Sequence, residues 1–285
     1  MKKTFKVLPI LTVCVFLLAA CGSSSVPSST TDKGTNQTVE NKPPKDLEPN
    51  PTEDFDYEYD EELHGVVLVY KGESEQVVFP SEFNGDPVVA VGVRKSPNLE
   101  SLYEMSDALY GNNQKICKVK EVYIPEGVQL IDTMAFSNCI YLESITIPDS
   151  VTTIGVMAFD GCVNLTSVRL PDKLLFLGDS AFYNCVRLTS VHLPENLNVI
   201  GSGAFSGCEQ LVDVTFESLN NLSHLGSSPF KGTYWQNRQP DGFITLGPNL
   251  LDYKGDAPSN LVIPDGIRHI AEDTFLYGYE SVKTI

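Results

Sequence analysis

Four cysteines, Cys139, Cys162, Cys185 and Cys208, recur at intervals of 23 residues. A row of thiols in register could bind metal or close disulfides. Repetition itself argues against both. Thiols placed one per repeat lie along a line and cannot converge on a tetrahedral metal site. Their Cα–Cβ vectors run parallel, which is poor geometry for a bridge. The row therefore predicts buried small hydrophobes. Beyond these four and Cys117, Cys14 falls inside an apolar leader and Cys21 directly follows it. An odd number of remaining cysteines in an exported chain argues against a complete disulfide framework.

Other reactive side chains do not assemble into a motif. His64, His192, His224 and His269 are scattered, with no paired-histidine zinc motif, no nucleophile elbow and no phosphate-cradling glycine loop. Carboxylates abound, but 37 Asp+Glu against 20 Lys+Arg give a net charge of −17, so pairs of acids carry little information. A field of that sign repels nucleic-acid phosphates and anionic membrane surfaces, which excludes nucleic acid as a partner. The acidic run from Glu53 to Glu62 alternates with Phe55, Tyr57 and Tyr59. Alternating carboxylates can suit calcium, but no glycine-turned ligand loop accompanies them, and the run predicts a solvated first strand. No catalytic residue, metal or cofactor is expected, and a binding protein is favoured over an enzyme.

The elements that hold these residues follow the same period. Pro125, Pro148, Pro171 and Pro194 share it, as do Phe136, Phe159, Phe182 and Phe205, each preceded by alanine. Each unit reads L-x-x-[IV]-x-[IL]-P, a polar turn, then I-G-x-x-A-F-x-x-C. A fixed period of this length means stacked coils, each touching only its neighbours. In the strand, Val168 and Leu170 face the interior with Leu165, and proline ends the ladder at the corner. Glycine after Ile or Leu suits a tight approach at the next corner. Ala-Phe fits a short helical or 3₁₀ turn, with the phenylalanines stacked into a spine worth roughly 1.5–3 kcal/mol of burial each. The fold class expected is α/β but β-rich, a solenoid of 23-residue coils.

Between the inward residues lie Tyr123, Thr146, Arg169, His192 and Thr215, flanked by Ser144, Ser167, Ser190 and Asp213. These are expected to align into one continuous outward face, the candidate binding face. Tyr234 and Trp235 are either aromatic anchors or packing for a degenerate coil.

At the N-terminus, Lys2, Lys3 and Lys6 precede the apolar run Val7–Leu18, too short to span a membrane comfortably. Its end, Leu18-Ala19-Ala20-Cys21-Gly22, resembles the lipobox of bacterial lipoproteins, which implies cleavage before Cys21 and lipid on its sulfur. Residues 1–20 are thus expected to be a signal peptide, and 21–56, rich in Ser, Thr, Pro and acids, a disordered tether. Residues 57–285 are expected to fold, with regular repeats over about 119–216. Val66–Tyr70 and Gln76–Phe79 are expected to pair as a capping hairpin, and the two runs around Gly247-Pro248-Asn249 as a second hairpin. Pro80 to Pro125 and Phe230 to Phe275 each span 45 residues, near two periods, so the insert at 93–118 and the second hairpin are each expected to stand in for one coil. The chain ends at Val282-Lys283-Thr284-Ile285, partway through a strand, which predicts a longer natural chain or a frayed end.

The pattern of Ile145-Thr-Ile-Pro148, Val151-Thr-Thr-Ile-Gly155 and Ala158-Phe-Asp-Gly-Cys162 resembles the BspA-like leucine-rich repeats of bacterial surface proteins. The resemblance covers about Tyr57 to Ile285. It implies a right-handed β-rich superhelix and a role in adhesion, toward host, matrix or other cell-surface macromolecules. Polysaccharide capture or an envelope scaffold is the alternative. The expected partner is an extracellular protein or glycan, the expected location the cell surface, and the expected anchor the lipid on Cys21. The family shares no catalytic residues.

Overall fold

The computed structural model describes residues 47–92 and 118–275. The signal peptide, Cys21, most of the tether, the insert and the last ten residues lie outside the described residues. In chain order the strands begin with β1 (Phe55–Asp60), β2 (Gly65–Tyr70), β3 (Gln76–Val78), β4 (Glu82–Phe83), β5 (Asp86–Gly92) and β6 (Glu121–Tyr123). There follow β7 (Leu130–Ile131), β8 (Ser144–Thr146), β9 (Thr153–Ile154), β10 (Phe176–Leu177), β11 (Ser190–Leu193), β12 (Val199–Ile200), β13 (Asp213–Phe216) and β14 (His224–Leu225). The short helix α1 (Tyr234–Asn237) leads to β15 (Gly242–Leu246), β16 (Asn249–Lys254) and β17 (His269–Ile270). The result is a β-rich solenoid of stacked coils.

Its longest ladder is a nine-stranded sheet running β1-β2-β5-β7-β9-β10-β12-β14, with β4 beside β5. From β7 onward each coil contributes two residues, the polar or apolar position before the inward Ile or Leu and that residue itself, paired in parallel with its counterpart 23 residues on, as in Thr153↔Phe176↔Val199 and Ile154↔Leu177↔Ile200, and 25 on from β12 to β14. Parallel pairing in one register carries like residues onto like, which is why the sequence repeats itself.

The phenylalanines form the spine expected of them. Phe136, Phe159, Phe182, Phe205 and Phe230 stack face to face, with ring centroids 5.2, 4.9, 5.4 and 5.3 Å apart and planes within 9° of parallel. None of these rings is exposed. The column stops at Trp235, tilted by 57° against Phe230. The four repeat cysteines are free thiols, all buried.

The Ala-Phe segment is not the helical turn expected. Every second amide points along the stack instead of back into its own turn. The N–H groups of Phe136, Phe159 and Phe182 donate to the carbonyls of Ala158, Ala181 and Ala204 in the next coil, at 2.7, 2.7 and 2.8 Å. The amides between them close short turns, as when Ala181 donates to Gly178 and Cys185 to Phe182. The cause is a pair of left-handed residues in each turn, one before the alanine (Met134, Met157, Ser180, Gly203, Ser228) and one before the cysteine position (Asn138, Gly161, Asn184, Gly207, Gly232). A helix cannot propagate through them. Asparagine and glycine tolerate that region best, and their alternation has a packing reason as well. A Cβ on Gly161 would sit 2.7 Å from Asn138 Oδ1 of the coil before, so the amide of one coil lies over the glycine of the next. The glycine after each inward Ile or Leu works by close approach alone: a Cβ on Gly178 would be 2.6 Å from the backbone of Gly155 and Val156.

The N-terminal cap is a hairpin, but of different strands from those expected. β1 and β2 pair antiparallel, Phe55↔Tyr70 to Asp60↔Gly65, and Asp60 Oδ1 accepts from the amides of Glu62 and Leu63 at their turn. β2 and β3 do not pair with each other. The chain turns a coil corner between them, where the Tyr70 hydroxyl accepts from Ser74 N, and β3 joins β6 in another sheet. The cap also starts earlier than Tyr57. Asn50 exchanges two hydrogen bonds with the backbone of Val78, and Phe55 packs its ring on Tyr70, Phe79 and Phe83.

Of the two 45-residue intervals, the second differs from expectation in part. β3 pairs directly with β6 and β5 with β7 on either side of the insert, which itself lies outside the described residues. The second hairpin, β15–β16, forms as expected, and β16 lies parallel beside β17. It supplies a strand position but no turn. Ser228 N donates directly to Asp273 Oδ1 across 45 residues, so the turn column passes the hairpin by.

The spine should dominate stability. Phe182→Ala, with a stacked ring on either side, is expected to cost about 3–5 kcal/mol in urea-induced unfolding of the full chain. A loss below about 1 kcal/mol would contradict a close-packed column.

Candidate functional site

The expected binding face is made by the L-x-x-[IV]-x-[IL] strands, and the structure divides it. β3, β6 and β8 form one parallel sheet, with Val78↔Tyr123↔Thr146 and Gln76↔Glu121↔Ser144 in register. β11 and β13 form a second, with Ser190↔Asp213 and His192↔Thr215 opposite one another. Ser167 and Arg169, in the coil between, belong to no strand. The face is therefore two paired patches flanking an unpaired coil. The continuous ladder runs along the other segment of each coil, where Leu130, Thr153, Phe176, Val199 and His224 hold the outward position. The two-residue strand before each glycine was the sequence signal for it, overshadowed by the longer alternating run.

The two patches differ in character. Tyr123 and Thr146 are half-buried, and the Tyr123 hydroxyl donates to Glu121 Oε2 at 3.4 Å, a carboxylate that also accepts from Gln76 Nε2 at 2.7 Å. Burial, with the Glu121 charge beside it, raises the Tyr123 phenol above its usual range and keeps it a donor. Ser190, His192, Asp213 and Thr215 are all exposed. His192 Nδ1 lies 3.1 Å from Thr215 Oγ1, and Arg238 reaches Asp213 at 3.9 Å. Ser144 and Ser167 are exposed too.

Arg169 is the most constrained member of the set. Its guanidinium bridges Asp149 at 2.7 Å and Asp172 at 3.1 Å, the acids that follow the proline in two successive coils. That position is acidic in five of the proline-ended coils, at Glu126, Asp149, Asp172, Glu195 and Asp265, and is Ser81 in the first. An acid row thus borders the face, which the sequence shows once the repeat is aligned by its prolines. The hydrogen bond from Arg169 holds the Asp149 carboxyl below the usual range. Of the two aromatic candidates, Trp235 is buried against the spine and donates its amide to the Leu211 carbonyl at 2.7 Å, while Tyr234 is 53% exposed. Among the described residues no group of three or more His, Cys, Asp or Glu side chains converges to hold a metal. What these patches offer chemically is hydrogen bonding, charge and area.

Residues 112–236 match the family model described as the BspA type leucine rich repeat region, in six copies. Searches of curated proteins find no match. Among solved structures, the leucine rich repeat protein of T. pallidum is 28% identical, aligned over 68% of this chain and 92% of that one, with a TM-score of 0.47. A leucine rich cell surface protein from Faecalibacterium prausnitzii A2-165 is 20% identical over 92% of this chain and 55% of that one, with a TM-score of 0.53. This chain thus spans about half the length of that protein, and the likeness extends to fold alone. The pneumococcal vaccine antigen PcpA aligns at 17% identity over 78% of this chain and 45% of that one, with a TM-score of 0.36.

The Arg169 pairing yields a titration test. Arg169→Ala should return the Asp149 carboxyl upward toward an ordinary aspartate value in an NMR pH titration. The sign follows from the depressed folded value: the pair stabilises the protein above the unfolded pKa, and that gain is lost as pH falls through the folded one. Because both side chains are partly exposed, the effect on unfolding free energy is expected to be small. An unmoved Asp149 titration would remove Arg169 as the cause.

Proposed function

We propose that this chain is an exported, surface-displayed binding protein that recognises another macromolecule through the strand patches of its solenoid. The observation that carries this reading is the exposed quartet Ser190, His192, Asp213 and Thr215, fixed in register on two paired strands. Backbone pairing below them holds their spacing, so a partner meets a preformed pattern of donors and acceptors and little ordering entropy is spent on binding. The acid row beside the patches favours a partner surface rich in basic and hydroxyl groups. The BspA-type repeats of residues 112–236 and the fold shared with a bacterial cell surface protein support the same reading.

Display at the surface rests on the leader and on Cys21. Cleavage before Cys21 and acylation of its sulfur would anchor the chain with no spanning helix, and residues 22–46 would give the solenoid reach.

Two experiments test the reading. The segment from residue 47 onward, applied to an array of extracellular-matrix proteins and cell-surface glycans, should capture a partner. His192→Ala with Asp213→Ala should then weaken that capture at least about tenfold without moving the melting temperature. Equal capture by the double variant would place the site elsewhere. Separately, Cys21→Ser should shift the protein from the membrane fraction to the soluble one, and unchanged fractionation would remove the lipid anchor.

A further inference from the structure

The nine-stranded sheet ends at β1, and among the described residues no strand pairs with its far side. The register with β2 shows which main-chain groups are left over. Lys71 N donates to the Asp54 carbonyl just beyond the strand, so Asp54 and Lys71 form a hydrogen-bonded pair. Bonded and non-bonded pairs alternate along an antiparallel ladder, and Asp56↔Val69, Glu58↔Val67 and Asp60↔Gly65 follow as the bonded ones. The amides and carbonyls of Tyr57 and Tyr59 therefore point away from β2, toward the open side. Sheet edges are commonly blunted by proline, by a bulge or by being very short. β1 has six residues, no proline or glycine, and an unbroken register with β2.

Its side chains sort by face. Tyr57 and Tyr59 share the side of the buried Phe55, yet are 58% and 43% exposed. The Tyr57 ring leans on Phe83, with centroids 5.0 Å apart. The other side carries Asp56, Glu58 and Asp60. Lys71 meets Asp56 at 3.0 Å, and Asp60 Oδ1 accepts the amides of the hairpin turn. Glu58 is exposed and makes no ion pair among the described residues. Seven of the ten residues from Glu53 to Glu62 are acidic, which sets the sign of any strand that could lie alongside.

The edge thus selects its occupant. A second copy is a poor one. Only Tyr57 and Tyr59 direct both groups outward, so two antiparallel β1 strands set tyrosine against tyrosine and acid against acid, and like charges directly opposite destabilise a pair. A strand with lysine or arginine at every second position meets the acids on one face, and apolar residues between them meet the tyrosines on the other. We propose that the open edge of β1 is a docking surface for one extended, basic segment of a partner protein, which joins the sheet as a further strand. Main-chain hydrogen bonds to Tyr57 and Tyr59 supply the attachment, and the alternating side chains supply the choice. The edge shares no residue with the strand patches and does not depend on the reading given above.

The test is fluorescence anisotropy of a labelled peptide, Thr-Lys-Val-Lys-Val-Lys-Thr blocked at both ends, titrated with the full chain freed of its leader up to about 0.5 mM. The peptide should bind, and its counterpart with glutamate for lysine should not. An added strand turns only alternate amides toward its neighbour. Of two further forms, N-methylated at the lysines or at the valines, at least one should therefore bind about tenfold more weakly. Glu58→Lys should weaken binding severalfold at unchanged melting temperature. Tyr57→Pro, which removes an outward amide and no bond to β2, should weaken it about tenfold. The proposal is overturned if the peptide does not bind, or if both methylated forms bind as well as the parent, which would reduce the effect to attraction between opposite charges. It is equally overturned if both variants bind unchanged, or if the free chain forms a dimer that Tyr57→Pro separates, which would make the edge an interface between copies.

Discussion

Everything in this solenoid answers to one spacing. Parallel strands pair at about 4.8 Å, and the phenylalanine rings stack at 4.9–5.4 Å, so two separate columns demand the same rise per coil. That agreement lets backbone hydrogen bonds and aromatic burial be satisfied together without strain in either. It also sets what else can be tolerated. At this rise, the corners at Gly155, Gly178, Gly201 and Gly226 leave no room for a Cβ against the preceding coil, and the turn beyond each must aim alternate amides along the axis. Left-handed residues at two fixed positions per turn accomplish the second, at a cost of order 1–2 kcal/mol where the residue is not glycine. Met134, Met157 and Ser180 bear that cost because the bonds they direct are shared with the next coil.

The cysteine row is a consequence of the same constraint. Each thiol sits inside the turn and donates to the carbonyl of the preceding coil's phenylalanine: Cys162 to Phe136, Cys185 to Phe159 and Cys208 to Phe182, at 3.1–3.2 Å. That carbonyl also accepts the cysteine amide of its own turn, as when Cys139 N donates to Phe136. Burial pushes the Cys185 thiol well up, which keeps the proton that makes it a donor. Cysteine is suited to the place because it is small, apolar enough to bury and still able to donate weakly. At the fifth position the residue is Thr233, and its hydroxyl turns inward to its own coil, donating to Phe230 and accepting from Gln236 N to start α1. The change from thiol to hydroxyl coincides with the end of the regular turns.

The stack, its spine and its buried thiols were legible because a period of 23 places identical side chains in identical surroundings, and interior surroundings tolerate few residue types. Two things were not. The turn was misread as helical because Ala-Phe favours a helix locally, whereas the Asn or Gly two residues after each phenylalanine marks a left-handed break. The N-terminal strands were paired by sequence proximity, although in a solenoid neighbours in sequence lie on different sides of one coil and neighbours in space are a period apart. The site was legible only in its columns. Which residues share a row follows from the period, while the division of the face into two patches follows from hydrogen bonds that no pattern of apolar residues encodes.

Function in such a molecule can reside only where the spacing constraint relaxes. Inward columns repeat one or two residue types, whereas the outward column reads Tyr123, Thr146, Arg169, His192, Thr215, four chemistries on five rungs. Variation there costs the stack little, since those side chains do not pack in the spine and their bonds from coil to coil, Arg169 to Asp149 and His192 to Thr215, are partly or fully exposed. A rigid ladder carrying a variable row is a means of presenting a chosen sequence of donors and acceptors at fixed intervals, with the entropy of arranging them already met by folding. The second hairpin relaxes the constraint in another way. By supplying a strand without a turn, it opens volume between coils that are elsewhere in contact, and it lines that volume with polar groups that a regular coil would have to place on the outside. The variable face and this recess both follow from where one coil departs from the next.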